Sequence, residues 1–360
     1  MDSPTIGDVA KLAGVAISTV SRALNGGSVR ATTRRNVLAA AESLGYHGDA
    51  VARSLASGRN HTLGIVIWNF STYYTTEILS AITSTAHQAG YRTLLADAGD
   101  GRIPREAIVN EYARATDGMI LVSPALDSLD SRSLSDPRTT VLINRSHQGY
   151  AAVVIDETAA MQQAVRHLTS LGHRSIAYLG GPQYSWSNGR RRAAFLDVCR
   201  QLGVRGEALG SYEPTHHGGH TAADALMPLL NDHAGERRVT AAIAFNDAIA
   251  SGMLSRLIER GKRIPDDCSI IGVDDSLIAR TSRPQLTSIA TRQRDIGAAA
   301  TRLLLHQLET VYATGRADRH ARQDKAERAT ESNEPSTTTA RPCLMIAGTL
   351  TVRGSTGPAA

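Results

Sequence analysis

Nowhere in the 360 residues do 18 apolar residues follow one another without a charge, so the chain encodes no transmembrane helix. The opening, Met1-Asp2-Ser3-Pro4, has neither the basic start nor the apolar run of a secretory signal, and a cytoplasmic location is expected. Cysteine is scarce. Cys199, Cys268 and Cys343 stand far apart and form neither a metal-binding pair nor a disulfide framework. Catalytic signatures are missing too: there is no phosphate-binding loop, nucleophile elbow or glycine-rich dinucleotide fingerprint, so nothing supports an enzyme and no cofactor is expected. What is present is a globular composition, 42% apolar and 20% charged, which excludes global disorder. The length exceeds the roughly 100–200 residues of one domain.

Charge is distributed unevenly. Of a net +5, the first sixty residues hold seven basic side chains (Lys11, Arg22, Arg30, Arg34, Arg35, Arg53, Arg59) against four acidic ones (Asp2, Asp8, Glu42, Asp49). Such an excess permits nucleic-acid binding, but a solvated face produces it as well, so pattern must decide. Thr5-Ile6-Gly7-Asp8 is a capping-box-like start for a helix to about Ala13, closed by Gly14. Helical patterns follow at Ile17–Leu24 and Thr33–Leu44, the latter stopped by Gly45. Ile6, Val9, Ala10, Ala13, Val15, Val20, Leu24, Val37 and Leu44 can close one small core, leaving Ser18, Ser21 and Arg22 facing outward. That is a helix-turn-helix arrangement, whose second helix enters the major groove with Arg22 as the natural base reader. A three-helix protein-binding module has the same periodicity, and pattern alone leaves both open.

The residues themselves narrow the choice. Thr5-Ile6-Gly7-Asp8-Val9-Ala10-Lys11-Leu12-Ala13-Gly14-Val15, then Thr19-Val20-Ser21-Arg22-Ala23-Leu24-Asn25, resemble the headpiece of the lactose-repressor/galactose-repressor family of bacterial transcription regulators. Thr33-Arg34, Tyr46 and Ala52-Arg53-Ser54-Leu55 match in register. The resemblance implies a headpiece over residues 1–47 and a hinge helix and linker over 48–60, in which Leu55 wedges into the minor groove and bends the duplex. The implied DNA-binding set is Thr5, Ile17, Ser18, Thr19, Ser21, Arg22, Asn25, Arg30, Thr33, Arg34, Arg53 and Leu55. Departures bear on it. Ala16 stands where the family usually caps with Ser, a loss of about 1 kcal/mol. Arg30 replaces a customary Ser, and the hinge entrance reads Tyr46-His47-Gly48-Asp49, which loosens the unfolded hinge.

Beyond a Ser-Gly-Arg-Asn linker, apolar runs alternate with helical patterns. Strands are expected at His61–Ile67, Arg92–Ala96, Gly118–Val122, Val141–Ile143, Ser175–Leu179, Ala241–Phe245 and Ser269–Val273, with helices at Glu77–Ala89, Ala159–Leu171, Arg190–Leu202 and Asp247–Arg260. The expected fold class is α/β: a three-helix headpiece and hinge helix joined to two doubly wound subdomains of periplasmic-binding-protein type over 61–353, forming the effector-binding and dimerisation domain. His167-Leu168, Gly172-His173-Arg174, Gly180-Gly181-Pro182, Phe245-Asn246-Asp247 and Gly272-Val273-Asp274-Asp275 carry the same resemblance, and Leu350–Gly357 is similar to the family's terminal strand.

The resemblance implies effector contacts from Tyr73, Tyr74, Asn144, Arg191, Asn246 and Asp274, with Ile155, Pro214 and Thr291 as weaker candidates. A guanidinium such as Arg191 can grip vicinal hydroxyls or a carboxylate. Asp247 and Asp275 can equally be helix caps. His216-His217-Gly218-Gly219-His220 invites a zinc reading but lacks a Cys or carboxylate partner, reads as the loop before a helix, and no metal is expected. Residues 316–341, rich in Arg, Ala, Glu, Ser and Thr, read as a mobile insert, with the helix-prone Ala317–Ala329 as a surface helix in the alternative. No leucine heptad follows Arg353, so no tetramerisation tail is expected. The function implied is a homodimeric DNA-binding regulator, a repressor reading a pseudo-palindromic operator under control of a small effector. A carbohydrate is the leading effector class, with a purine or other non-sugar molecule as the alternative, and a cytosolic sugar-binding protein without DNA regulation is the rival class.

Overall fold

A computed structural model describes residues 4–24, 27–46, 59–68, 70, 73–99, 104–125, 135–232, 238–325 and 341–359, with the side chains of 315–325 left out. The chain divides into two compact units, Met1–His61 and Thr62–Ala360.

In the first unit Thr5 caps helix α1 (Ile6–Ala13), its hydroxyl accepting from the Asp8 amide while the Asp8 carboxylate accepts from the Thr5 amide at 2.8 Å. Gly14, at φ 65°, ends the helix in a left-handed conformation that costs glycine nothing. Helices α2 (Ile17–Leu24) and α3 (Ala31–Ser43) follow. Helix α3 begins two residues before the expected Thr33, with Arg30 at the cap position making no side-chain cap bond. Val9, Ala10, Val20, Ala23, Val37, Ala40 and Ala41 are buried together, and the remaining expected apolar residues pack around them.

The second unit contains two six-stranded sheets. Sheet 1 runs β11-β5-β4-β3-β1-β2 and sheet 2 runs β12-β10-β9-β8-β6-β7. The strands are β1 Thr62–Ile67, β2 Arg92–Asp97, β3 Gly118–Val122, β4 Thr140–Ile143, β5 Ala151–Ile155, β6 Ser175–Leu179, β7 Arg205–Leu209, β8 Ala241–Ala244, β9 Ser269–Val273, β10 Thr287–Ala290, β11 Cys343–Ile346 and β12 Thr349–Thr351. All pairs are parallel except β10 with β12. Sheet 1 carries α4 (Tyr73–Gln88), α5 (Arg105–Ala115) and the long α11 (Gln293–Lys325), while sheet 2 carries α6 (Glu157–Ser170), α7 (Trp186–Gln201), α8 (His216–Leu230), α9 (Asp247–Glu259) and the short α10 (Leu277–Thr281). The chain therefore crosses between subdomains three times: after β5, after β10 and between β11 and β12. These crossovers are cross-linked. The Asp156 amide donates to Ile346 O at 3.0 Å. The Gln163 side chain donates to Gly348 O and accepts from the Leu350 amide, at 2.9 and 3.0 Å.

Several expectations need correction. The strands β5, β7, β10 and β11 and helices α5 and α10 were not anticipated. Strand β7 is half-exposed and interrupted by Arg205 and Glu207, so it shows no apolar run. The expected terminal strand shrinks to Thr349–Thr351. Helix α11 takes in residues 316–325 of the segment expected to be a mobile insert, while 326–340 lie outside the described residues. Ile296, Ala300, Leu304 and Leu308, buried at i, i+4 spacing on sheet 1, anchor this helix, and extension into Ala- and Arg-containing sequence is favourable once a helix exists.

The His216–His220 stretch is also corrected: it is the first turn of α8, capped by the Thr215 hydroxyl, and not a loop before it. Among the described residues no group of three or more His, Cys, Asp or Glu side chains is arranged to hold a metal ion. Its glycines have a packing role, since α8 and α9 cross so closely that a Cβ on Gly252 would collide with the His216 carbonyl oxygen and the Gly219 Cα. Gly252→Ala is therefore expected to push the helices apart and to destabilise the second unit by about 1–3 kcal/mol or more. A chemical-denaturation midpoint unchanged by the substitution would show that the crossing has slack.

Candidate functional site

The carboxyl ends of both sheets face one cleft of about 850 Å³, counting the part open to solvent. Its walls come from residues just beyond the strands. Trp68, Tyr74, Thr75, Val122, Ser123, Pro124, Asn144 and Ile155 belong to the first subdomain; Pro182, Tyr184–Ser187, Arg191, Pro214, Phe245, Asn246 and Asp274 belong to the second. Of the expected effector contacts, the structure brings together Tyr74, Asn144, Arg191, Asn246 and Asp274, along with Ile155 and Pro214. Thr291 is buried behind Asp274 and is not in the wall. Tyr73 does not reach this cleft: it is 54% exposed and borders an adjoining cavity with His216, Asp247 and Ser276. Three wall residues, Ser123 (φ 50°), Asn144 (φ 57°) and Asp274 (φ 112°), hold a left-handed backbone without being glycine. Such strain persists only where the surroundings over-determine it.

Arg191 is the buried centre of the second wall. Its Nε and Nη2 fork onto the Glu157 carboxylate at 2.7 and 2.8 Å, and Nη1 donates to the Phe245 carbonyl, whose ring lies 5.0 Å from the guanidinium carbon. Both partners of the pair are 4% exposed. Burial is the largest single influence and lowers the pKa of the guanidinium, but the Glu157 charge and hydrogen bonds, with Tyr178 and Asp274, together outweigh it, so the net shift is upward and the group stays charged. Three of its five N–H groups are committed to the protein, and two remain for a ligand's hydroxyls or carboxylate.

The neighbouring polar groups are also held in place. The Tyr74 hydroxyl donates to Asn144 Oδ1 at 2.8 Å, and Asn144 Nδ2 donates to Ser123 Oγ at 3.1 Å. Burial and the nearby Asp247 charge push the Asp274 carboxyl well above the usual carboxylate range. Asn246 caps α9, accepting from the Ile249 amide at 3.0 Å, so it is engaged structurally. Asp247 is not a cap: it accepts from the Ser276 amide, the Ser276 hydroxyl and the Ser288 hydroxyl at 2.7, 2.8 and 2.6 Å. Gly272 leaves the room this carboxylate needs, because a Cβ there would strike Asp247 Oδ1. Asp275 is no cap either and binds Arg353 and Arg280.

In the first unit Ile17, Ser18 and Arg22 are exposed on one side of α2, while Thr19 and Ser21 are half-buried. Arg22 Nε reaches Ser18 O at 3.3 Å. Thr5 is spent on its cap, Arg30 is exposed, and Thr33 is half-buried. Arg34 Nη2 donates to Gly27 O at 2.6 Å and so ties α3 to Gly27 ahead of it. Asn25, Arg53 and Leu55 lie outside the described residues.

Sequence reading missed Glu157, because β5 before it was not recognised, and also Trp68, Tyr184, Trp186 and Phe245. One signal was available: the chain has only two tryptophans, and both stand in this wall.

A three-helix unit that exposes Ile17, Ser18 and Arg22 on its second helix, on one chain with a twin-sheet unit enclosing a ligand-sized cleft, fits a ligand-responsive DNA-binding regulator. Residues 5–49 match the bacterial regulatory proteins of the lacI family, and residues 165–330 match the periplasmic binding protein-like domain. The chain is 33% identical over 312 residues to catabolite control protein A of Streptococcus mutans, covering 84% of this chain and 91% of that one. Its fold is similar to that of the Lac repressor dimer bound to operator and the anti-inducer ONPF, with TM-score 0.75 at 22% identity over 99% of this chain and 100% of that one. It is also similar to the transcriptional regulator CelR in complex with cellobiose, with TM-score 0.66 at 25% identity over 98% of this chain and 99% of that one. The chain belongs to the lacI family of bacterial regulatory proteins, and it is a DNA-binding transcriptional regulator. No helix among the described residues is long and apolar enough to cross a membrane.

The Asp247 clamp generates a pH prediction. Burial outweighs its hydrogen bonds and raises the carboxyl from 3.8 to about 6, so the folded chain holds this proton more tightly than the unfolded chain. The resulting stabilisation is complete below pH 3.8 and is lost as pH rises to about 6. Asp247→Asn should remove that slope from the unfolding free energy. Parallel pH profiles for parent and variant across this window would contradict it.

Proposed function

We propose that this regulator is a cytoplasmic homodimeric repressor whose affinity for a pseudo-palindromic operator is set by a small polyhydroxylated effector, most simply a carbohydrate, held in the cleft. In this reading residues 1–47 form the DNA-binding headpiece, 48–60 the hinge and linker, and 61–353 the effector-binding and dimerisation domain. The observation that carries it is the cleft between the carboxyl ends of two sheets joined by three crossovers, where open α/β sheets bind ligands. Tyr74 and Asn144 would hold the effector from one side, Arg191 and Asp274 from the other. A ligand bridging both walls favours one degree of subdomain closure, and only such differential binding can couple it to DNA affinity. Ile17, Ser18 and Arg22 would read bases, and Arg30 a phosphate. All these roles are binding roles, and none of the groups is proposed to catalyse a reaction. The cellobiose in the CelR structure and the operator and anti-inducer on the Lac repressor dimer support the same reading.

Operator binding at fixed salt, followed by fluorescence anisotropy on the DNA upstream of the gene, tests both halves. Arg22→Ala is expected to lose about 1–3 kcal/mol of discrimination between operator and random DNA. Asn144→Ala should retain the parent's operator affinity while losing the response to effector. Binding itself can be followed through Trp68 and Trp186, the chain's two tryptophans, both in the wall. Unchanged discrimination in the first variant, or an unchanged effector response in the second, would contradict the assignment.

A further inference from the structure

The cleft has a charge economy that bears on which ligands it admits. Among the described wall residues Arg191 is the single cation, and the Glu157 carboxylate already matches its charge with a two-pronged contact. An anionic ligand that took the two remaining guanidinium N–H groups would bring a negative charge into the cleft beside Glu157, 4% exposed, with no unmatched cation among the described wall residues to balance it. What the wall offers instead is hydrogen-bonding capacity with its charge already balanced: two spare N–H groups of the paired guanidinium, the Tyr74 hydroxyl and the Asn144 amide. The indole Nε1 of Trp68, buried in the same wall, has no hydrogen-bond partner.

The apolar part of the wall is equally selective. Aromatic residues make up only 4% of the chain, yet five of them, both tryptophans included, line this one cleft. Trp186 begins a helix of the second subdomain but packs against the first subdomain's cluster around Trp68, so aromatic surface from both sides meets across the cleft. Flat apolar faces suit a ring with C–H faces and polar edges.

We propose that the effector is an uncharged, ring-bearing polyol, and that the Arg191–Glu157 pair makes the cleft reject its phosphorylated and carboxylated counterparts. This rests on the cleft being the effector site. Titration calorimetry of the full chain with matched sets tests it: neutral glucosides and β-linked disaccharides, their 6-phosphates and uronates, glucosamine and adenine. The expected result is binding of a neutral sugar, at least tenfold tighter than its phosphate or uronate, and a narrowing of that ratio by about tenfold in Glu157→Gln, which frees the guanidinium. Equal or tighter binding of the anionic counterpart, preference for glucosamine or adenine, or no binding by any member overturns the proposal. The wild-type ratios stand as a test even where Glu157→Gln fails to fold. Asn144→Ala and Trp186→Ala separate the two failures: a neutral sugar that binds both variants as it binds the parent removes the cleft as the site, whereas anion preference abolished by them leaves the site standing and refutes the charge argument.

Discussion

The second unit is organised around one buried ion pair. Placing the Arg191 guanidinium and the Glu157 carboxylate out of water costs several kcal/mol for each ion, and the structure recovers this only through a forked contact and a third bond to the Phe245 carbonyl. Those three partners come from different elements. Glu157 is the first residue of α6, immediately past the first crossover, Arg191 lies in α7, and Phe245 follows β8. The pair thus ties the crossover to the wall of the cleft. A group that moves with the crossover is in contact with the group that faces the ligand.

Other features of the cleft follow the same logic of fixed polar groups. Asp247 draws together the segments after β9 and in β10 through Ser276 and Ser288, and Gly272 keeps the space it occupies. Asn144 is fixed between Tyr74 and Ser123. The left-handed backbone at Ser123, Asn144 and Asp274 is tolerable because each is gripped by such contacts at a strand end. Stability is spent here on pre-positioning, and pre-positioned groups bind with a smaller ordering cost.

Much of this was legible in the sequence where local signals are strong. The capping box at Thr5–Asp8, the glycine stop at Gly14 and the nine apolar positions of the headpiece all appear as expected, because they depend on contacts a few residues apart. Strands with apolar runs, such as Gly118–Val122 and Ser269–Val273, were equally plain. Edge strand β7 was not, because an edge needs no continuous apolar run. Within the cleft, resemblance located Arg191 and Asp274 but left Glu157 unnoticed, since the pair joins residues 34 positions apart. The same long range hid the role of Gly218, Gly219 and Gly252, whose meaning appears only when two helices cross.

The claim on which this account rests is that Arg191 and Glu157 act as one unit. A double-mutant cycle with Glu157→Leu and Arg191→Met, read as unfolding free energy by urea denaturation, tests it most directly. Each single variant strands a buried charge and should cost about 3–5 kcal/mol, whereas the double variant, with neither charge, should cost far less than the sum. Costs that add to within about 0.5 kcal/mol would mean that the two side chains stabilise the fold independently, and would contradict the account.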